Sequence, residues 1–335
     1  MSGGSLEVNG DVWGSRAFPC VCSEFTPVSE AAALAAGRHM GHGDTAAADG
    51  AAAAAMRSAF GDLPVTARVV IGEGEPGHTV GLRPGEILGG GGPACALAVD
   101  PLEGTDIVAR GQGGAMSVLV VTAPEHVMSL PDMYMQKLVV GPRAAGRVDI
   151  EAPVADNLLA VADAYDRAPT DLTVIMLDRP RHESLVAEVR RVGARIKLIA
   201  DGDITASIAA AVEGTGDQVY MGIGGAAEGV ITAAAMRCLG GEIQAKLWPL
   251  SRKEVEQARA HGIDDIETVL RTDDMVKGDV IFSAPGVTSG DFLRGVDYFR
   301  DGARSHTLVM CTRCRIVRFV DTIHLFSDER REIRL

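Results

Sequence analysis

The sequence is short of positive charge. Its 32 Lys and Arg stand against 45 Asp and Glu, a formal net charge of −13 over 335 residues. So acidic a chain repels polyanions, which excludes a protein that grips nucleic acid or an anionic membrane over a broad face. Cysteine is scarce as well. The six, Cys20, Cys22, Cys95, Cys238, Cys311 and Cys314, are too few and too scattered for a disulfide framework. Cys311 and Cys314 have CxxC spacing but fall in a strand-like run, 307–320, with only the distant Cys20-Val21-Cys22 to offer a second pair. They read as reduced thiols rather than zinc ligands. No apolar stretch approaches the length of a membrane span, and the first two dozen residues lack a basic region followed by an apolar run. A cytoplasmic protein with a loose tail over residues 1–24 is expected. Internal repeats and low-complexity linkers are also missing; only 89–92, four glycines, has the composition of a flexible loop.

What is present suffices for a packed interior. Hydrophobic residues make up 47%, too many at this charge for intrinsic disorder, and the length suits about two domains. Thr26-Pro27 starts a helix that runs to about residue 40, and a second follows over 45–60. Strands are expected at 67–71, 95–99 and 115–122. From residue 172 strands alternate with helices, which predicts a parallel, doubly wound sheet. A boundary near 163–169 divides a domain over 25–165 from one over 166–335. Ligands of such sheets lie at the carboxyl ends of the strands. The turns there read Arg179-Pro180-Arg181, Asp201-Gly202-Asp203 and a glycine run ending in Glu228. That trio suits a polar ligand bearing an anion, such as a sugar phosphate.

The strongest motif is Asp100-Pro101-Leu102-Glu103-Gly104-Thr105, directly after an apolar strand. Two carboxylates three residues apart on a tight turn offer the oxygen ligands that Mg²⁺ requires. Gly72-Glu73-Gly74-Glu75 holds acids between glycines at another strand end, where they have little packing purpose. Gly222-Ile223-Gly224-Gly225-Ala226-Ala227 fits the dinucleotide pattern G-x-G-x-x-A, so a nucleotide-dependent oxidoreductase is a competing reading. Glu228 at the helix start opposes it, because it puts a carboxylate where a pyrophosphate would lie. Asp49, alone among alanines, is either solvated or aimed at a cation. If Asp49, Glu73, Asp100, Glu103 and Glu228 converge, their mutual repulsion would raise their pKa values and cost stability. Convergence therefore implies two or more Mg²⁺ or Mn²⁺ ions, the apparatus of two-metal phosphoryl hydrolysis, with Thr105 placed to hold or help deprotonate the attacking water.

These residues resemble class II fructose-1,6-bisphosphatases, members of the lithium-sensitive, metal-dependent sugar phosphatase superfamily. The likeness runs from about residue 27 to 325. It rests on Ala48-Asp49-Gly50-Ala51-Ala52, Val70-Ile71-Gly72-Glu73-Gly74-Glu75, the Asp100–Thr105 motif, Pro131-Asp132-Met133-Tyr134-Met135, Asp201-Gly202-Asp203 and the 222–229 glycine run. The resemblance implies a layered α/β/α/β/α sandwich with the site between two sub-domains, metal-binding over 25–165 and substrate-binding over 166–335. It implies metal ligation by Asp49, Glu73, Asp100, Glu103 and Glu228, and catalysis by Thr105 with Asp49 and Glu73. Substrate contacts would come from Gly104, Thr105, Tyr134, Arg179, Arg181, Asp201, Asp203 and Gly225. The implied reaction is hydrolysis of the 1-phosphate of fructose 1,6-bisphosphate or a related sugar bisphosphate, in gluconeogenesis, by a homo-oligomer (dimer or tetramer). Thr45 and Ser289 stand where the family usually has lysines, and the segment 246–259 is shorter than its pattern. Fewer cations weaken the hold on a second phosphate, so another sugar or cyclitol phosphate is an alternative substrate. A metal-binding but inactive regulator is a further one.

Overall fold

Residues 21–61, 63–74 and 82–326 are described by a computed structural model, and every structural statement below concerns them. Most of the expected N-terminal tail, and Glu75, lie outside the described residues. The elements run α1 (Thr26–Gly37), α2 (Thr45–Gly61), β1 (Thr66–Ile71), β2 (Ile87–Leu88), β3 (Ala94–Glu103), α3 (Thr105–Ala109), β4 (Met116–Thr122), β5 (Tyr134–Val140) and α4 (Val154–Tyr165). There follow β6 (Thr173–Leu177), α5 (Glu183–Val192), β7 (Arg195–Ile199), α6 (Asp203–Ala211), β8 (Val219–Gly225), α7 (Ala226–Leu239) and β9 (Glu242–Trp248). The last are α8 (Arg252–Ala260), β10 (Leu270–Arg271), α9 (Thr272–Met275), β11 (Val280–Pro285), β12 (Asp297–Phe299), β13 (Gly302–Cys311) and β14 (Ile316–Leu325). Local chemistry sets several ends. Pro27 sits in the first turn of α1, where its missing N–H costs nothing. Asp44 Oδ1 accepts the Ala47 N–H at 2.9 Å at the start of α2.

The strands form two mixed sheets. The larger has eight strands, in the order β12-β13-β11-β4-β3-β1-β2 with β14 paired to β13; the smaller has six, in the order β10-β9-β5-β8-β6-β7. The βα alternation after residue 172 does set β6 parallel to β7 and to β8. The wholly parallel sheet expected from it is not formed, because β5, from earlier in the chain, inserts antiparallel between β8 and β9. Both sheets take strands from either side of the expected boundary: β5 lies in the smaller one, and β11 to β14 in the larger.

Alternation along β4 shows how the layers stack. Met116, Val118 and Val120 face a central core, while Leu119 and Val121 face an outer one with α1 and α2. The central core is shared by both sheets and holds α6 and α7. A third core packs α4 and α5 on the far side of the smaller sheet. The result is the five-layered α/β/α/β/α sandwich. Helices enclosed on both faces must be apolar nearly all round, and small side chains let the sheets approach them. Accordingly Ala206, Ala209 and Ala210 of α6, and Ala233, Ala234 and Ala235 of α7, are buried. No helix among the described residues is long and apolar enough to cross a membrane.

Candidate active site

Five elements bring their ends to one place. Asp49 comes from the second turn of α2, and Glu73 follows β1. Asp100 and Glu103 lie at the end of β3, where the register with β4 shifts between them, close enough for each carboxyl to shift the other's pKa. Glu228 stands in the first turn of α7. Carboxylate oxygens of Glu73, Asp100 and Glu228 lie within 4.8 Å of one another. Backbone donors hold the pair on β3: the Leu102 N–H reaches Asp100 Oδ1 at 3.0 Å, and the Ile204 N–H, in the first turn of α6, reaches Glu103 Oε1 at 2.8 Å. Glycine gives the acids room. A Cβ on Gly225 would lie 1.9 Å from Glu228 Oε2, and one on Gly224 would lie 2.0 Å from Asp203 Oδ2. Gly104 turns the chain into α3 with φ of 89°, a left-handed conformation that glycine adopts freely.

The electrostatics are those of a centre built around a missing positive charge. Burial, and then the charges of Asp49 and Glu228, push the Glu73 carboxyl up to about 8. Asp100 is raised well above the usual carboxylate range by burial and by Glu73, and Glu103 by burial and by Asp203. Burial also raises Asp49, Glu228 and Asp201. Asp49 Oδ1 and Glu228 Oε2 are buried without a hydrogen-bond partner, a costly state for an acceptor. Hard oxygen donors, orphaned and crowded, fit divalent cations such as Mg²⁺ or Mn²⁺.

One buried cation faces this set, and the sequence reading missed it. Lys137, in the middle of β5 and only 1% exposed, donates from Nζ to Asp203 Oδ2 at 2.5 Å and to the Gly225 carbonyl at 2.8 Å. The Tyr220 hydroxyl adds a longer bond to Asp203 Oδ2 at 3.4 Å. A signal was available: a lysine that runs straight into Leu138-Val139-Val140 in a strand demands a partner if that strand is buried. His182 is a packed residue. Its Nδ1–H donates to the Leu177 carbonyl at 2.7 Å and its Nε2 accepts the Ile223 N–H at 2.7 Å. That neutral tautomer agrees with a pKa lowered by burial.

The expected substrate contacts ring the same place. Arg181 donates from Nε and Nη2 to the Ile223 carbonyl, at 3.1 and 2.8 Å, and stacks over the Tyr134 ring at 4.8 Å. Arg179 lies close enough to Asp201 to oppose the rise in its pKa. Thr105 donates its hydroxyl to the Leu102 carbonyl at 3.1 Å. Thr45 is exposed at the start of α2. Ser289, also exposed, lines a pocket of about 720 Å³ with Asp201, Lys197 and Asp291. The lysine nearby does not replace the cation expected at Ser289, since Lys197 is paired with Asp217 at 2.9 Å and with Asp291. In the glycine turn before α7, Glu228 folds back onto Gly225, which puts a carboxylate where a pyrophosphate would need the helix N-terminus.

Comparison with known proteins shows the family of the chain. A family model described as "Bacterial fructose-1,6-bisphosphatase, glpX-encoded" matches residues 20–324. Two relatives named "D-fructose 1,6-bisphosphatase class 2/sedoheptulose 1,7-bisphosphatase", from Synechococcus sp. strains JA-3-3Ab and JA-2-3B'a(2-13), are 42% and 43% identical. In each case the match covers 90% of this chain and 94% of the relative. A protein of the same name from Gloeobacter violaceus is 40% identical, over 91% of this chain and 95% of its own.

Proposed function

The chain belongs to the family of bacterial, glpX-encoded fructose-1,6-bisphosphatases, and within it we propose that Asp49, Glu73, Asp100, Glu103 and Glu228 hold two or more Mg²⁺ or Mn²⁺ ions against the phosphate ester of its substrate. It is a metal-dependent phosphoric monoester hydrolase acting on a sugar bisphosphate. The observation that supports this ligand set is the meeting of Glu73, Asp100 and Glu228 oxygens within 4.8 Å, beside the partnerless Asp49 and Glu228 oxygens. Ions bound there supply stabilisation of charge on the phosphoryl oxygens and a lowered pKa for the attacking water.

The protein's own groups do the rest. The Thr105 hydroxyl, donating to the Leu102 carbonyl, keeps its oxygen able to accept a proton-bearing water and orient it. Asp49 and Glu73, whose neighbouring carboxyls influence each other's protonation, are assigned with Thr105 to the movement of that water's proton. Arg179 and Arg181 pair with phosphate oxygens, and Tyr134 holds the Arg181 guanidinium in plane. Asp201 accepts from sugar hydroxyls, while Asp203 is fixed by Lys137. The backbone at Gly104, Thr105 and Gly225 is assigned to the remaining substrate contacts.

The 1-phosphate of fructose 1,6-bisphosphate is the first substrate to assign, in the cytoplasm and in gluconeogenesis. Sedoheptulose 1,7-bisphosphate enters because the relatives' names carry it. Thr45 and Ser289 favour a second reading, a sugar or cyclitol phosphate with less negative charge at its far end. A panel of these esters, assayed for phosphate release with Mg²⁺ and Mn²⁺, decides between them by kcat/KM. Release should stop with EDTA, and Asp100→Asn should lower kcat by about 100-fold or more. Metal-independent release by pure protein would defeat the mechanism. A homo-oligomer, dimer or tetramer, is also proposed; Val317 and Phe319 on β14 expose apolar surface that would support one, and light scattering checks it.

A further inference from the structure

Three cysteines from opposite ends of the chain meet in the outer core. Cys22 lies in the short helical turn Val21–Ser23 that precedes α1. Cys311 closes β13, and Cys314 sits in the turn, residues 312–315, that leads into β14. Their sulfur atoms all lie within 4.8 Å of one another. The sequence reading kept them apart because it placed the CxxC spacing inside a strand. The structure places it at the tip of a hairpin, where a turn closed by Arg315 at φ of 54° presents both sulfurs toward Cys22.

We propose that Cys22, Cys311 and Cys314 bind one zinc ion, a structural site that ties the N-terminal turn to the β13–β14 hairpin. A tetrahedral zinc thiolate has Zn–S bonds of about 2.3 Å, hence sulfur–sulfur edges of about 3.8 Å. The widest separation in the trio therefore has to close by only about 1 Å. Thiolates are soft donors, which select zinc over the hard Mg²⁺ and Mn²⁺ of the acid centre. Cys22 and Cys311 are 2% and 1% exposed, and the surroundings include Val21, Phe25, Ile281 and Ile316. Cys314 is half-buried, so the redox-inert ion would sit at the edge of this apolar core and tie the two chain segments together. Three thiolates and one Zn²⁺ leave a charge of −1, which Arg313 and Arg315 offset from either side of Cys314 in the sequence. Packing alone would be met by any small apolar residue, and it gives no reason for three sulfurs to share one point. Cys20 precedes Cys22 by two positions and lies outside the described residues, so the site rests on the three sulfurs above.

The test uses the full chain, purified without chelator or immobilised metal and dialysed to remove loosely held ions. Elemental analysis should find one zinc per chain, released when an organomercurial titrates the thiols. Cys311→Ser and Cys314→Ser should lower the zinc by about tenfold, while Cys238→Ser keeps it. If the serine variants fail to fold, the wild-type chain grown in cobalt serves instead, and should show the thiolate-to-cobalt charge-transfer absorption of a tetrahedral sulfur site. Wild-type protein without zinc, zinc retained by both serine variants, cobalt bound without that absorption, or a disulfide among the three in a non-reducing peptide map would each overturn the proposal.

Discussion

Replacing Lys137 with methionine should cost this protein more stability than any loss of packing would. The two side chains have similar length, so the stem of Lys137 is kept and only the ammonium goes. What it leaves is a carboxylate on Asp203, 5% exposed, that had its cation at 2.5 Å and retains only the Tyr220 hydroxyl at 3.4 Å. The Gly225 carbonyl also loses its donor. Breaking a buried pair by removing one partner costs about 3–5 kcal/mol, against about 1 kcal/mol for an ordinary hydrogen bond. For a chain of this size roughly 2–4 °C of melting temperature goes with each kcal/mol, so a fall of roughly 6–20 °C is expected in EDTA. One control separates charge from shape: Lys137→Met combined with Asp203→Asn removes both charges and should recover more than half of the loss. A single variant within about 1 kcal/mol of wild type, or a double variant no more stable than the single one, would show that the pair does not hold β5 against α6 as described.

The remaining expectations concern the acid centre and its frame. Glu73, raised to about 8 from an unfolded value of 4.5, binds its proton more tightly in the folded, metal-free chain. Stability in EDTA should therefore fall as pH rises from about 4.5 to about 8, by at most about 1.4 kcal/mol per unit for this group, and Glu73→Gln should flatten the urea midpoints measured across that window. Gly225→Ala places a Cβ on Glu228 Oε2; calorimetry should find Mn²⁺ affinity weakened about tenfold or more with little change in melting temperature, since φ at Gly225 is −67° and alanine adopts it freely. Glu30 Oε1 accepts hydroxyls of Ser305, Thr307 and Thr322, at 3.1, 2.8 and 2.9 Å. Glu30→Leu takes this acceptor from Thr307 and Thr322 beneath α1, while Ser305 keeps His324 Nε2 at 2.8 Å, and urea denaturation should register about 2 kcal/mol or more.

What the sequence made legible is local. Four of the acids sit in short motifs at strand and helix ends, where glycine, proline and carboxylate leave a recognisable pattern, and of these Glu73, Asp100 and Glu228 meet within 4.8 Å; Asp49, alone among alanines, carried no such mark. The βα alternation gave the direction of β6, β7 and β8 for the same reason: each crossover is written in one stretch of chain. The features that escaped are those whose partners are far apart. Lys137 reads as an oddity in a strand until Asp203 and Gly225 come up against it. The insertion of β5 between β8 and β9 follows from no residue near β5. Cys22 and Cys311 lie at opposite ends of the chain, and the hairpin that aims Cys314 was hidden in a run that read as a continuous strand.

The same distinction bears on how an acidic chain holds a phosphate ester. The five proposed ligand carboxylates would carry −5, and Lys137 and Asp203 cancel each other, so two divalent ions would bring the centre to −5 + 4, or −1. A phosphate ester dianion would be repelled by that remainder, and Arg179 and Arg181 add +2 at its edge. With Thr45 and Ser289 in place of lysines no further cation stands behind them, and Lys197 is already occupied by Asp217 and Asp291. Attraction for the substrate therefore depends on how completely the carboxylates are filled, and protons compete for the same oxygens, since burial and mutual repulsion raise Glu73, Asp100 and Glu103 together. Proton loss and metal entry are linked at each of these groups. The acidity that marks the whole chain is, in the proposed centre, the means by which metal, and through metal the anionic substrate, would be held.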